Sequence, residues 1–225
     1  MSSIFLQALG SDFARLHPKL QRRFSVNVAD GVACVGTGVM DRIWHAAFAR
    51  PFLALGGTRN VLVPIAGRNV PFRIENYPYV DSYGRETVTF VRTFHLPGRQ
   101  RRFDATMVYD HQRSRIVDYL GSHQHIATDL DFWADEHGGL VIRSGDHRLH
   151  ERWLSCRVPE LLAGTAEVRE SYDDEAGRFR IQVTVVNRRF GPLFGYSGTF
   201  TADYVDVAEN GVPASVMPRR EEMRT

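Results

Sequence analysis

A mainly β protein is predicted, with N-terminal helices packed on a strongly curved antiparallel sheet or a closed barrel. Three features of this 225-residue chain carry that expectation. From Asn60 onward apolar and polar residues alternate with period two, the spacing at which side chains share one face of a strand. Short Gly-, Pro- and Asp-rich turns separate the alternating segments, so sequential strands pair antiparallel. About ten strands in such a meander rarely stay flat, which favours curling or closure.

Taken in order, the first part of the chain differs from the rest. Ser11 is placed to cap a short helix carrying Phe13 and Leu16, and Pro18 suits the first turn of a second carrying Leu20. Phe24, Val26 and Val28 alternate with polar neighbours. Ala29-Asp30-Gly31 then supplies turn chemistry before Val32 to Val35, predicting a β-hairpin. Met40, Ile43, Trp44, Ala47, Phe48 and Pro51 recur at helical spacing, predicting an amphipathic helix over 39–55 that Gly56-Gly57 ends. Residues 1–57 are thus expected as a helical and hairpin lid.

The strands are expected at 60–66, 70–79, 85–96, 101–110, 115–121, 124–134, 139–144, 165–172, 178–187 and 193–206, one domain over 1–206. Pro159-Glu160-Leu161-Leu162 before Gly164 predicts a helical turn. The polar segment 207–225 is expected to be disordered.

Composition narrows the function classes. Basic and acidic residues number 28 and 26, for a net charge of +2, and are spread along the chain without the basic stripe of a nucleic-acid footprint. No stretch reaches the apolar length of a membrane-crossing helix, and the start lacks the pattern of a secretory signal. Cys34 and Cys156 do not form a disulfide framework and are expected reduced, Cys34 as packing. A soluble, cytoplasmic protein is expected, with no nucleic-acid or membrane partner. Gly36-Thr37-Gly38 lacks the third glycine of a dinucleotide fingerprint, and neither Ser122 nor Ser144 sits in G-x-S-x-G, so no cofactor or hydrolase triad is implied.

Chemistry concentrates on the strand faces. Asn76, Arg92, Asp118, Glu170 and Asn187 each interrupt an apolar face, which predicts polar groups inside a barrel, where a charge must be paired or used. Asp118 and Glu170 are the candidate acid or base and Arg92 their electrostatic partner. Asn76 and Asn187 are the orienting groups, while Phe90, Phe94, Met107, Tyr109 and Tyr196 are the apolar lining. A structural ion pair with Arg92 is the competing reading of the same carboxylates. In the stretch 121–139, His123, His125 and Asp129 share a predicted strand face, and the histidine pair is an alternative metal site that Asp129 or His147 would complete. A solvated polar face is the competing reading there.

The segments RNVPFRIENYPYVDSYGRETVTFVRTF, RRFDATMVYD, RIVDYLGSHQH, GGLVIRSGDHR and GPLFGYSGTF together resemble a bacterial family of unknown function, over about Leu9 to Tyr204. Its members often follow a saccharopine-dehydrogenase-like module. The resemblance implies a stand-alone member here, transfers no redox activity and supplies no catalytic residues.

The expected function is therefore that of a lipocalin-like or otherwise closed barrel. It would bind a small hydrophobic or aromatic metabolite and support cofactor-independent isomerisation, cyclisation or elimination. A non-catalytic carrier or accessory domain, and a metal enzyme using the histidine pair, are the alternatives.

Overall fold

The computed structural model describes residues 2–61, 63–151, 153–159 and 163–225, with the side chain of Phe52 left aside. Helices α1 (Ile4–Leu9), α2 (Pro18–Phe24) and α3 (Arg50–Gly57) accompany twelve strands among the described residues. The strands are β1 (Val32–His45), β2 (Gly67–Asn76), β3 (Pro78–Val80), β4 (Glu86–Leu96), β5 (Arg99–Asp110), β6 (Arg115–Leu120), β7 (Ile126–Ala134), β8 (Leu140–Glu151), β9 (Leu154–Arg157), β10 (Thr165–Asp173), β11 (Arg178–Asn187) and β12 (Gly191–Asp206). They pair antiparallel in the order β10-β11-β12-β1-β2-β4-β5-β6-β7-β8, and β8 also pairs with β10, so ten strands close a barrel. Closure removes the free edges that an open sheet exposes. β3 and β9 extend the wall at β4 and β8.

Apolar side chains of alternate positions point into the interior, among them Phe72, Ile74, Phe90, Phe94, Met107, Ile116, Phe194 and Phe200. Phe5 of α1 meets Phe24, Phe90 and Phe132 edge-on at 5.0 to 5.9 Å, so α1 and α2 plug one mouth. Leu53 of α3, with Val63 and Ile65, joins the core from the other.

Several expectations are corrected. The first helix is capped by Ser3, whose hydroxyl accepts from the Leu6 N–H, and Ser11 lies in the 3-10 turn that follows. The hairpin before Val32 has one strand only, because Phe24 belongs to α2 and residues 28–30 form a 3-10 turn. The helix predicted over 39–55 begins as the end of β1, and only residues 50–57 are α-helical. A β-bulge explains this: the β1–β12 register shifts between Met40 and Arg42, so Met40 and Ile43 both face inward three residues apart. That is helical spacing produced by a strand with one extra residue.

No strand occupies the described residues of 60–66. Asn60 has φ +57, and the segment crosses the barrel mouth with its Arg59 carbonyl accepting from the Ser122 N–H. The helical turn predicted at Pro159 to Gly164 rests on residues outside those described.

The disordered tail is also corrected. Residues 207–225 run as a belt around the outer wall, where Val216 packs on Ala33, Val35, Tyr77 and Val91. Farther along, Glu222 accepts from Arg224 at 2.8 Å and pairs with Arg220, while Arg85 donates to the Glu222 and Met223 carbonyls. A sparse apolar composition with specific polar anchors escapes an argument from composition alone.

Candidate functional site

The interior polar residues fall into two groups. The first lies beneath α2, where Leu20, Arg23 and Phe24 occupy i, i+3 and i+4 and turn into the barrel. The Nε of Arg23 donates to Oε2 of Glu170 at 2.9 Å and its Nη1 to Sγ of Cys34 at 3.2 Å, with both charged side chains inaccessible to solvent. The guanidinium also lies 5.0 to 5.9 Å from the rings of Phe24, Phe179 and Phe200. Burial alone would lower the Arg23 pKa, but the Glu170 carboxylate and the Cys34 thiol outweigh it and hold the value above the ordinary arginine range.

Glu170 is thus the contact partner of Arg23, a role for which alternation had offered Arg92. Sequence reasoning missed Arg23, although an arginine between apolar residues at helical spacing was the available signal. Cys34, expected as packing, has this guanidinium in contact.

The second group is Arg92 on β4, Asp118 on β6 and Tyr196 on β12. Arg92 is stacked at 4.6 Å over the Phe103 ring and lies 5.4 Å from that of Phe90. All three side chains are buried, yet Nε and Nη1 of Arg92, Oδ1 of Asp118 and the Tyr196 hydroxyl make no hydrogen bond, and neither does Oδ1 of Asn76. Burial pushes the Asp118 carboxyl up to about 7, against the opposing charge of Arg92 and the Thr106 backbone. Burial likewise pushes the Tyr196 phenol up to about 12, with Arg92 opposing, so the hydroxyl keeps its proton at neutral pH. A carboxyl pushed up to about 7 within the field of a guanidinium has the makings of proton transfer with stabilisation of an oxyanion.

The remaining predicted residues divide between lining and structure. Phe90, Phe94 and Met107 are buried core, and Phe94 packs edge-on against Tyr196 at 5.3 Å. Tyr109 is half-buried at the rim of a cleft of about 470 Å³ between α1 and β4–β5, next to Ile4, Glu86 and His111. Asn76 donates to the Thr89 carbonyl at 3.2 Å. Asn187 is committed to the β11–β12 turn, where Oδ1 accepts from the Arg189 and Phe190 N–H groups and Nδ2 donates to the Ala163 carbonyl.

The histidine stretch is a turn before it is a strand. Gly121 and Gln124 have φ +78 and +52, and β7 starts only at Ile126. The His123 and His125 rings still stack, 5.7 Å apart and 9° from parallel. Asp129 is elsewhere, ringed by Arg113, Arg115 and Arg148, while His147 meets the Gly164 carbonyl at 2.9 Å. Burial would raise the Asp129 pKa, but the Arg148 hydrogen bonds and the surrounding guanidiniums hold it below the usual carboxylate range. Among the described residues no group of three or more His, Cys, Asp or Glu side chains is arranged to hold a metal ion, nor is any helix long and apolar enough to cross a membrane.

Comparison with known proteins adds family membership. The chain is 35% identical over 201 residues to an uncharacterized protein, YndH, of Bacillus subtilis (strain 168), covering 89% of this chain and 97% of that protein. No solved structure matches. A family model described as "Domain of unknown function (DUF4166)" matches residues 16–200, which is most of the barrel and its α2 plug, and the chain belongs to that family.

Proposed function

We propose that the barrel interior binds a small, largely apolar metabolite and exchanges a proton with it through Asp118, in a cofactor-independent isomerisation, cyclisation or elimination. One observation carries this reading: polar atoms of Asn76, Arg92, Asp118 and Tyr196, all buried, face the interior of a barrel without hydrogen-bond partners. A buried polar atom left unpaired costs about 1–3 kcal/mol, so four such side chains together are expensive unless they serve a ligand. Asp118 is the acid or base because its carboxyl titrates near neutrality, where both protonation states are accessible. Glu170, in contact with Arg23, holds the plug in place.

The test is to incubate the protein with a cytoplasmic metabolite extract and identify by mass spectrometry which small molecules it retains and which it consumes. Wild type is expected to retain and consume the same compound, and Asp118→Asn to retain it unchanged. Retention without consumption by both proteins would establish the carrier reading instead. Failure to retain any compound would remove both.

A further inference from the structure

Resting on that reading of the interior, the pattern of ion pairs across the whole molecule says more about the ligand. Among the described residues seven Arg, Asp and Glu are buried: Arg23, Asp81, Arg92, Asp104, Asp118, Glu170 and Glu222. Five of them stand in contact ion pairs. Arg23 meets Glu170 at 2.9 Å, Asp81 meets Arg85 at 2.8 Å, Asp104 meets Arg102 at 3.0 Å and Glu222 meets Arg224 at 2.8 Å. Arg92 and Asp118 depart from this pattern. They influence each other electrostatically without a contact ion pair, and Arg92 keeps two buried nitrogens unpartnered, against the single Nη2 of Arg23.

A fold that pairs its other buried charges in contact leaves here a guanidinium with two unused donors. The Tyr196 hydroxyl is a third unused donor, and its ring packs edge-on at 5.3 Å against Phe94, the next residue on the Arg92 face of β4. Buried donors without an acceptor call for an acceptor from outside the chain.

We propose that the ligand is an apolar carboxylic acid bound as its anion, its carboxylate received by Arg92 and the Tyr196 hydroxyl. The charge suits one monoanion, because among the described residues Arg92 is the single interior guanidinium without a carboxylate in contact. A phosphate monoester would set two negative charges against one cation with Asp118 close by. The rest of the ligand is apolar because the neighbouring side chains are Phe90, Phe94 and Phe103. Asp118, not in contact with the guanidinium, is left to act on the ligand body.

Butanoate, octanoate and dodecanoate are the probes, with the alcohols and amines of the same chain lengths as controls, measured by calorimetry and by thermal shift on the full chain. At least one carboxylate is expected to bind wild type about tenfold or more tighter than its alcohol, with the amine weaker still. Arg92→Met is expected to erase the preference for acid over alcohol, and Arg92→Lys to restore part of it. Tyr196→Phe is expected to weaken the acid by about threefold to tenfold while leaving the alcohol unchanged. An alcohol that binds wild type as tightly as its acid would overturn the anion proposal and leave the apolar-ligand reading intact. An acid preference that survives in Arg92→Met would likewise overturn it, since the anion would be held elsewhere. If no acid and no alcohol binds, both readings fall. The wild-type comparison decides the matter even if Arg92→Met does not fold.

Discussion

A guanidinium sealed beneath a helix is stable only with its counter-charge in contact, and Arg23 with Glu170 meets that condition. Removing one partner leaves an uncompensated buried charge, so Arg23→Met is expected to destabilise the barrel by about 3–5 kcal/mol in chemical denaturation. The double change Arg23→Met/Glu170→Leu is expected to recover most of that loss, because both charges are then gone. Asp118 behaves in the opposite sense. Its folded-state pKa, about 7, stands above the ordinary carboxyl value, so the folded protein holds the proton more tightly than the unfolded chain does. Its contribution to stability is full below about pH 4 and is lost as pH rises toward 7. A denaturation series from pH 4 to 8 is expected to show this downward slope in wild type and to lose it in Asp118→Asn. Arg92, Asp118 and Glu170 were all legible in the sequence, because a charge on an apolar strand face can be read from alternation. The partner of Glu170 was not, since it depends on where a helix 147 residues away in sequence lands.

At the level of the element, β1 shows how strand and helix periods become confused. The bulge between Met40 and Arg42 converts inward spacing from two to three residues, and sequence periodicity then favours the wrong element. The strands β4, β5, β6 and β10, whose registers run unbroken, fall close to their predicted limits because nothing disturbs their alternation. The glycines of β1 were weighed as a weak nucleotide motif, but Gly38 is a packing requirement. A Cβ there would lie 2.0 Å from the Thr199 carbonyl oxygen and 2.5 Å from the Cα of Phe200, both backbone atoms of the paired strand β12. Backbone cannot swing aside as a flexible side chain can, so Gly38→Ala is expected to cost about 3 kcal/mol or more. The loss should be visible as a lowered denaturation midpoint. Gly84→Ala, in a turn with open space around it, is expected to cost less, limited to the strain of its φ of +77.

For the whole molecule, the barrel has two apolar surfaces, and the C-terminal belt covers part of the outer one. Val35, Val91 and Tyr77 lie under Val216, and the Tyr119 hydroxyl donates to the Arg224 carbonyl while Gln124 Oε1 accepts from the Glu222 N–H. Closure of a curved sheet was legible from the number of strands and their short turns. This second layer was not, because its anchors are individual hydrogen bonds spread over a polar segment. Truncation after Asp206 is expected to cost roughly 3 kcal/mol, the scale of one well-buried valine and a few hydrogen bonds. For a domain of this size that corresponds to a fall of about 6–12 °C in Tm, with increased binding of an apolar dye at the uncovered patch. The belt also carries a pH signature of its own. Hydrogen bonds from Arg224, opposed by burial and aided by the charge of Arg220, hold the Glu222 carboxyl down at about 2. A depressed carboxyl stabilises the fold above its ordinary titration near 4.3, and that contribution is lost as pH falls toward 2. The Tm difference between the full chain and the truncated one is therefore expected to be large at pH 7 and to shrink by pH 3. Glu222→Gln should reproduce the smaller difference already at pH 7. A difference that stays constant across that range would mean that the valine contacts alone hold the belt, and that its arginine-clasped carboxylate contributes nothing.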